Sequence, residues 1–227
     1  MTVTEDLGVR GVVLVCGPGA PDFPAVDGLR TEVLGARPGK AEVDPLLAGA
    51  EHLVVAGTDA DLAAIVLRLL RKDRLGDTTI GFVPLGGGSE FAGLWSLPDD
   101  PAQAFRLAVR GDVDPVPLIR DDAGGVLLGR GEVGPVQGVG YCDDQVTLRG
   151  RARSIVVTPD TEGGAGLVVQ VTRGVLFRRP ATFYGRAFQL GCIPAIPVSD
   201  GVPYPREMKR WTWYRHTEDL RLVRGLA

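Results

Sequence analysis

An α/β domain followed by a β domain is the fold this sequence predicts, and three observations carry that expectation. Short β-branched apolar runs at residues 12–15, 53–56 and 80–85 each close in a glycine turn. The second run leads into Leu62, Ile65, Val66, Leu69 and Leu70 at helical spacing. From about Val116 the texture changes to short β-rich runs separated by glycine, proline and aspartate.

Taken in order, residues 12–15 read as a buried first strand ending at Gly17-Pro18-Gly19. Residues 53–56 enter the turn Gly57-Thr58-Asp59-Ala60-Asp61, then a helix. Residues 80–85 repeat the pattern into Gly86-Gly87-Gly88-Ser89 and a short apolar segment, 91–97. Asp99-Asp100-Pro101 caps a helix through residue 109, with Pro101 suited to the first turn and Gly111 to the stop. The β runs fall at 126–128, 154–158, 167–172 and 182–190, and 220–223 reads as a strand returning to the first domain. The expected domains are 1–115 and 116–227.

Composition bounds the function. A chain of 227 residues can bury a core without disulfide or metal staples. Its 44% hydrophobic and 23% charged residues indicate a soluble globular protein, neither disordered nor fibrous. The polar start lacks the basic-then-apolar order of a secretory signal, so a cytoplasmic location is expected. No apolar run approaches the ~18 residues that span a bilayer; Arg68 interrupts 65–70, and membrane contact is expected only at the periphery. Cys16, Cys142 and Cys192 lie far apart and read as reduced structural thiols. His52 and His216 form no cluster, which speaks against metal-hydrolase and cysteine-protease chemistry. Residues 1–150 hold 13 basic and 22 acidic groups, whereas 151–227 hold 12 and 6. The second part is cationic, suited to a phosphate-bearing ligand or an anionic lipid surface, or simply a solvated face.

Two strand-to-glycine-loop elements in one parallel sheet place both loops at its carboxyl edge, where open α/β sheets bind ligands. Exposed backbone N–H groups beside a helix N-terminus suit phosphate, although glycine content alone leaves simple turns as the other reading.

Val54-Val55-Ala56-Gly57-Thr58-Asp59-Ala60-Asp61-Leu62 resembles the strand and Gly-Gly-Asp-Gly-Thr motif of the diacylglycerol kinase catalytic-domain family. Pro84-Leu85-Gly86-Gly87-Gly88-Ser89-Glu90-Phe91-Ala92 is similar to its Pro-Leu-Gly-Thr-x-Asn-Asp-Phe-Ala segment, and Val198-Ser199-Asp200-Gly201-Val202-Pro203 to its Val-Asp-Gly-Glu-Pro turn. The resemblance covers residues 10–225. It implies a three-layer nucleotide-binding-like α/β domain followed by a β-sandwich, the NAD kinase and diacylglycerol kinase-like architecture. ATP, with magnesium, and a lipid hydroxyl would meet in the cleft between the two. Asp59 takes the place of the family's motif aspartate, the candidate catalytic residue. Gly57, Thr58, Asp59, Gly86, Gly87, Gly88 and Ser89 are the implied nucleotide-binding positions. Glu90 and Asp200 are the implied acceptor or ligand positions.

The departures fall at polar positions. Thr58 and Ala60 replace motif glycines, and Asp61 replaces the threonine, bringing negative charge to where phosphate would approach. Gly87, Ser89 and Glu90 replace threonine, asparagine and aspartate. Val202 replaces the glutamate that serves the family as base, and an apolar side chain accepts no proton; Asp200 or Glu207 are the substitutes to consider. The loop Gly17-Pro18-Gly19-Ala20 has no basic residue, and Pro18 donates no N–H.

Lys209-Arg210-Trp211-Thr212-Trp213-Tyr214-Arg215 reads first as a strand packing its aromatics into a core, and otherwise as a lipid-interface or base-stacking stretch. Arg173, Arg178, Arg179 and Arg186 read as solvated cations or a phosphate site. The leading functional reading is a degenerate, non-catalytic or weakly active diacylglycerol kinase-like protein that binds a nucleotide or anionic ligand. The alternatives are an active ATP-dependent lipid or other hydroxyl kinase, and an NAD kinase-like nucleotide binder. No nucleic-acid partner is expected; a small-molecule or lipid ligand is, and exposed sheet edges allow a homodimer.

Overall fold

The computed structural model of the chain describes residues 10–18, 21–174 and 179–225. The elements run β1 (Gly11–Cys16), β2 (Leu29–Leu34), α1 (Lys40–Val43), β3 (His52–Gly57), α2 (Asp59–Arg71), β4 (Thr79–Pro84), α3 (Glu90–Leu94), α4 (Pro101–Arg110) and β5 (Asp112–Val113). Then follow β6 (Ile119–Asp121), β7 (Val126–Leu127), β8 (Gly131–Val133), β9 (Val136–Cys142), β10 (Gln145–Ala152), β11 (Ser154–Pro159) and β12 (Leu167–Thr172). The chain closes with β13 (Ala181–Gly185), β14 (Ala187–Ala195), β15 (Val198–Ser199), β16 (Val202–Pro203), β17 (Met208–Arg215) and β18 (Val223–Gly225). It divides into two compact units: Met1–Gly87, Leu97–Pro115 and Arg221–Ala227 in one, Gly88–Ser96 and Val116–Leu220 in the other.

In the first unit a parallel sheet has the order β2-β1-β3-β4. Every residue of β1 and β3 is buried, because helices cover both faces of a parallel sheet; the strands therefore read as unbroken apolar runs. Val13, Val15, Val54, Ala56 and Val83 pack against Ala104, Phe105 and Ala108 of α4, and Phe23 stacks on Phe105 at 4.7 Å. A Cβ at Gly81 would lie 2.4 Å from the Ala108 carbonyl oxygen, so glycine lets α4 approach the sheet. Helix α4 starts as expected: the Asp100 carboxylate accepts the Gln103 N–H at 2.8 Å, Pro101 opens the helix and Gly111 follows it. Helix α2 packs on β3 and buries Leu62, Ile65, Val66 and Leu69.

The β4 edge is partly closed by chain that comes much later. The Ile80 N–H donates to the Arg221 carbonyl at 2.8 Å, and Leu222 bridges Ile80 in parallel. Beyond it β18 pairs with β5, and Arg224 meets Asp114 at 2.6 Å. The strand expected at 220–223 is thus displaced to Val223–Gly225, since Leu220 instead bridges Val116 and Leu222 serves as the contact to β4.

The second unit is a sandwich of two six-stranded sheets, β10-β9-β14-β17-β6-β7 and β13-β12-β11-β8-β15-β16. Their inner faces share one core that includes Leu148, Phe188, Leu190, Trp211 and Trp213 from the first sheet and Val133, Ile155, Val157, Leu167 and Val169 from the second. The aromatic-basic stretch is a strand, as first read: Trp211 and Trp213 point inward at 2% and 0% exposure, and Trp213 stacks on Phe188 with centroids 6.4 Å apart. The single run expected at 182–190 is two strands in different sheets. The chain turns at Gly185-Arg186, where the Asp143 carboxylate accepts both the Arg186 and Ala187 N–H groups.

Candidate functional site

The strand order places a reversal between β1 and β3: the chain leaves β1 for β2 on one side and then crosses to β3 on the other. A crevice outside the carboxyl ends of such strands is the ligand site of open α/β sheets. The segments at that edge here are Cys16 and Gly17 after β1, residues 35–37 after β2, and Gly57-Thr58 after β3.

Asp61 occupies the centre of this edge. Its Oδ2 accepts the Thr58 backbone N–H at 2.8 Å and the Thr58 hydroxyl at 2.7 Å, while Oδ1 accepts the Arg37 N–H at 2.6 Å. Thr58 returns the contact, its Oγ1 taking the Asp61 N–H at 3.3 Å, which completes a reciprocal cap on α2. Arg37 presents its amide from a left-handed φ of 49°, a conformation uncommon outside glycine. The carboxylate is 3% exposed. Gly57 has to be glycine here, because a Cβ would lie 2.8 Å from Asp61 Oδ2 and 3.1 Å from the Cys16 Cβ. Burial, aided by the charges of Asp61 and Glu42, pushes the Cys16 thiol up to about 12, so it is an inert buried thiol beside Asp61.

Asp59 follows in the first turn of α2 and is half-buried; Thr58 is exposed apart from its capping contacts. Sequence reasoning flagged Asp61 for its charge but gave it no structural role, and it missed Arg37 altogether. A partner that contributes only a backbone amide leaves no side-chain signature.

The second glycine loop is tied to the first by the Leu85 N–H donating to the Gly57 carbonyl at 2.8 Å. Gly86, Gly87 and Gly88 take φ values of 90°, 76° and 69°, three consecutive left-handed residues that account for the glycine run by conformation alone. Ser89 caps α3, its Oγ accepting the Ala92 N–H at 2.9 Å, and Glu90 is exposed in the first turn.

The third motif is a hairpin. Asp200 and Gly201, at φ 48° and 78°, form the two-residue turn between β15 and β16, a pair suited to a turn that demands positive φ twice. Asp200, expected among the acceptor positions, is buried at 6% exposure and its carboxylate is engaged elsewhere. Oδ2 takes the Leu128 N–H at 2.9 Å, and Oδ1 takes those of Gly129 at 2.7 Å and Arg130 at 3.1 Å. Val202, the base position of the motif, pairs with Ser199. Of the cationic candidates, Arg173 donates to the Thr147 carbonyl, Arg179 and Arg186 are exposed, and Arg178 lies outside the described residues, as do Gly19 and Ala20 of the first loop. Among the described residues no group of three His, Cys, Asp or Glu side chains could hold a metal ion, and no helix is long and apolar enough to cross a membrane.

Comparison with solved structures places this geometry. A diacylglycerol kinase from Bacillus anthracis strain Sterne superposes with a TM-score of 0.71 at 13% identity, covering 95% of this chain and 97% of that one. The chain has the diacylglycerol kinase and NAD kinase-like fold. An NAD kinase from Archaeoglobus fulgidus, solved in complex with ATP, shares it at a TM-score of 0.59 and 15% identity over 94% of this chain and 93% of the other. In sequence, this chain is 30% identical over 79 residues to a probable lipid kinase YegS-like protein of Stenotrophomonas maltophilia strain K279a. That match takes in 34% of this chain and about a quarter, 26%, of the relative's length. No family model matches.

ATP and magnesium are what the motif resemblance implies, and the donors at this edge do not fit a phosphate chain. The amides of Thr58 and Arg37 and the Thr58 hydroxyl, which face the edge where phosphate would sit, already face a carboxylate.

Proposed function

We propose that this is a diacylglycerol kinase-like protein without phosphoryl-transfer activity, a binding module built on a kinase scaffold. The observation that carries the reading is Asp61. Its carboxylate takes the N–H of Thr58 at the cap of α2 and that of Arg37 in the loop after β2, and it repels a second anion from the same place. Two further features support it. Val202 stands at the position of the family's base and accepts no proton, and Asp200, the nearest carboxylate in sequence, directs both oxygens to backbone amides.

Calorimetric titration with Mg-ATP, with diacylglycerol phosphorylation assayed alongside, tests this. The folded wild type is expected to show neither saturable binding nor product, and Asp61→Thr, which restores the motif residue, to recover measurable nucleotide binding. Saturable ATP-dependent phosphorylation of diacylglycerol by the wild type would make the active-kinase alternative correct, with Asp59 in the motif position.

A further inference from the structure

The outer face of one sandwich sheet carries apolar and cationic side chains in register. Val139, Tyr141 and Val146 are 37%, 38% and 41% exposed, and Ile193 is 59% exposed beside Cys192, which packs inward. Strand pairing sets these residues in rows. One row across β10, β9, β14 and β17 is Arg149, Val139, Gly191 and Arg210; the next is Val146, Tyr141, Gln189 and Thr212. Adjacent strands lie about 4.8 Å apart, so each row is a continuous strip. Arg151, also outward on β10, bonds Gln137 Oε1 at 3.0 Å and remains exposed.

None of these four strands contains an acidic residue. Carboxylates only border them: Asp143 and Asp144 in the β9–β10 turn, with Asp143 bound to the Arg186 and Ala187 amides, Glu207 just before β17, and Asp122, whose N–H donates to the Thr212 carbonyl at 3.2 Å. We propose that this face docks on an anionic phospholipid bilayer, with Val139, Tyr141, Val146 and Ile193 entering the interface and Arg149, Arg151 and Arg210 meeting the headgroups. Charge complementarity selects this occupant. Aliphatic side chains and a tyrosine flanked by arginines match the apolar-to-anionic gradient of a leaflet surface. A second copy of the chain on the same face would set the arginines against their own counterparts. The proposal goes beyond the reading above and holds whether or not the protein transfers phosphate.

The test is co-sedimentation of the full chain, without nucleotide, with vesicles of phosphatidylcholine alone and of phosphatidylcholine mixed with phosphatidylglycerol. Wild type is expected to bind the mixed vesicles only, and less at high salt. Arg149→Ser with Arg210→Ser should weaken binding by roughly five-fold per arginine. Val139→Thr with Ile193→Ser should weaken it without changing the salt dependence, and Arg179→Ser with Arg186→Ser should leave it unchanged. All these side chains but the control pair lie on the outer face, so thermal melts should match the wild type. Failure of the wild type to sediment with anionic vesicles overturns the proposal. So does binding that survives both face variants, or a concentration-dependent dimer that Ile193→Ser dissolves.

Discussion

Asp61 closes on Thr58, one carboxylate oxygen holding both the backbone N–H and the hydroxyl of the residue three positions earlier, while the other oxygen holds Arg37 from the loop after β2. The N-terminus of α2 is capped from within the chain. On the reading proposed above, these three donors are no longer open to an anionic ligand.

Removing that carboxylate should be felt throughout the first unit. Asp61→Ala loses a reciprocal cap and leaves the Arg37 amide without its acceptor, and is expected to destabilise the protein by about 2–3 kcal/mol in urea denaturation. Asp61→Asn, which keeps one acceptor oxygen, should fall between Ala and wild type.

Asp200 offers a graded test in the sandwich. Asp200→Ala leaves three backbone N–H groups of residues 128–130 without acceptors and should destabilise by roughly 3–4 kcal/mol. Asp200→Asn tolerates the left-handed turn and keeps the oxygen that serves two of the three, so about a third of that loss is expected. Equal effects would mean that an amide oxygen does not replace the carboxylate in the clasp.

The glycine run is conformational. Gly87→Ala, at φ 76° with open space around the new methyl, should cost about 1–2 kcal/mol through backbone strain alone. Gly93→Ala, inside α3 and equally open, should be neutral or slightly stabilising.

His52 makes stability depend on pH. It is buried, its Nδ1 lies 2.7 Å from Thr79 Oγ1, and burial holds its folded-state value below the ordinary 6.5. The unfolded chain therefore takes up a proton more readily than the folded one. The contribution is fully present above about 6.5 and is lost as pH falls through that value towards the folded-state one; burial of His216 acts in the same direction. The urea midpoint should decline between about pH 7 and about pH 5, and His52→Gln should flatten that decline.

Thiol labelling reads the core directly. Burial pushes Cys16 up to about 12 and Cys142 up to about 11, and only Cys192 is half-buried rather than buried. Cys192 should react first in the native protein, with the other two protected until unfolding.

Most of the first unit was legible because its strands are buried on both faces and α4 carries its own cap: residues 53–56 and Asp100 announce themselves locally. The sandwich was legible as β but not in its pairing. At Gly185-Arg186 the chain passes from one sheet to the other without leaving β-type sequence, so no periodicity marks the change. The motif positions were legible as positions, yet what they do depends on contacts distant in sequence. Asp200 serves amides some 70 residues away, and Asp61 serves one 24 residues before it. Neither pairing follows from residue type.

The clasp of Ile80 by Arg221 and Leu222 has a bearing on how the chain is made. Residues 10–110 hold a complete four-stranded sheet with its helices, but the outer edge of β4 is met by a segment that is synthesised only after the whole sandwich. A nascent chain arrested anywhere in between would present that edge, with the Ile80 amide still exposed, to chaperones and to other nascent chains.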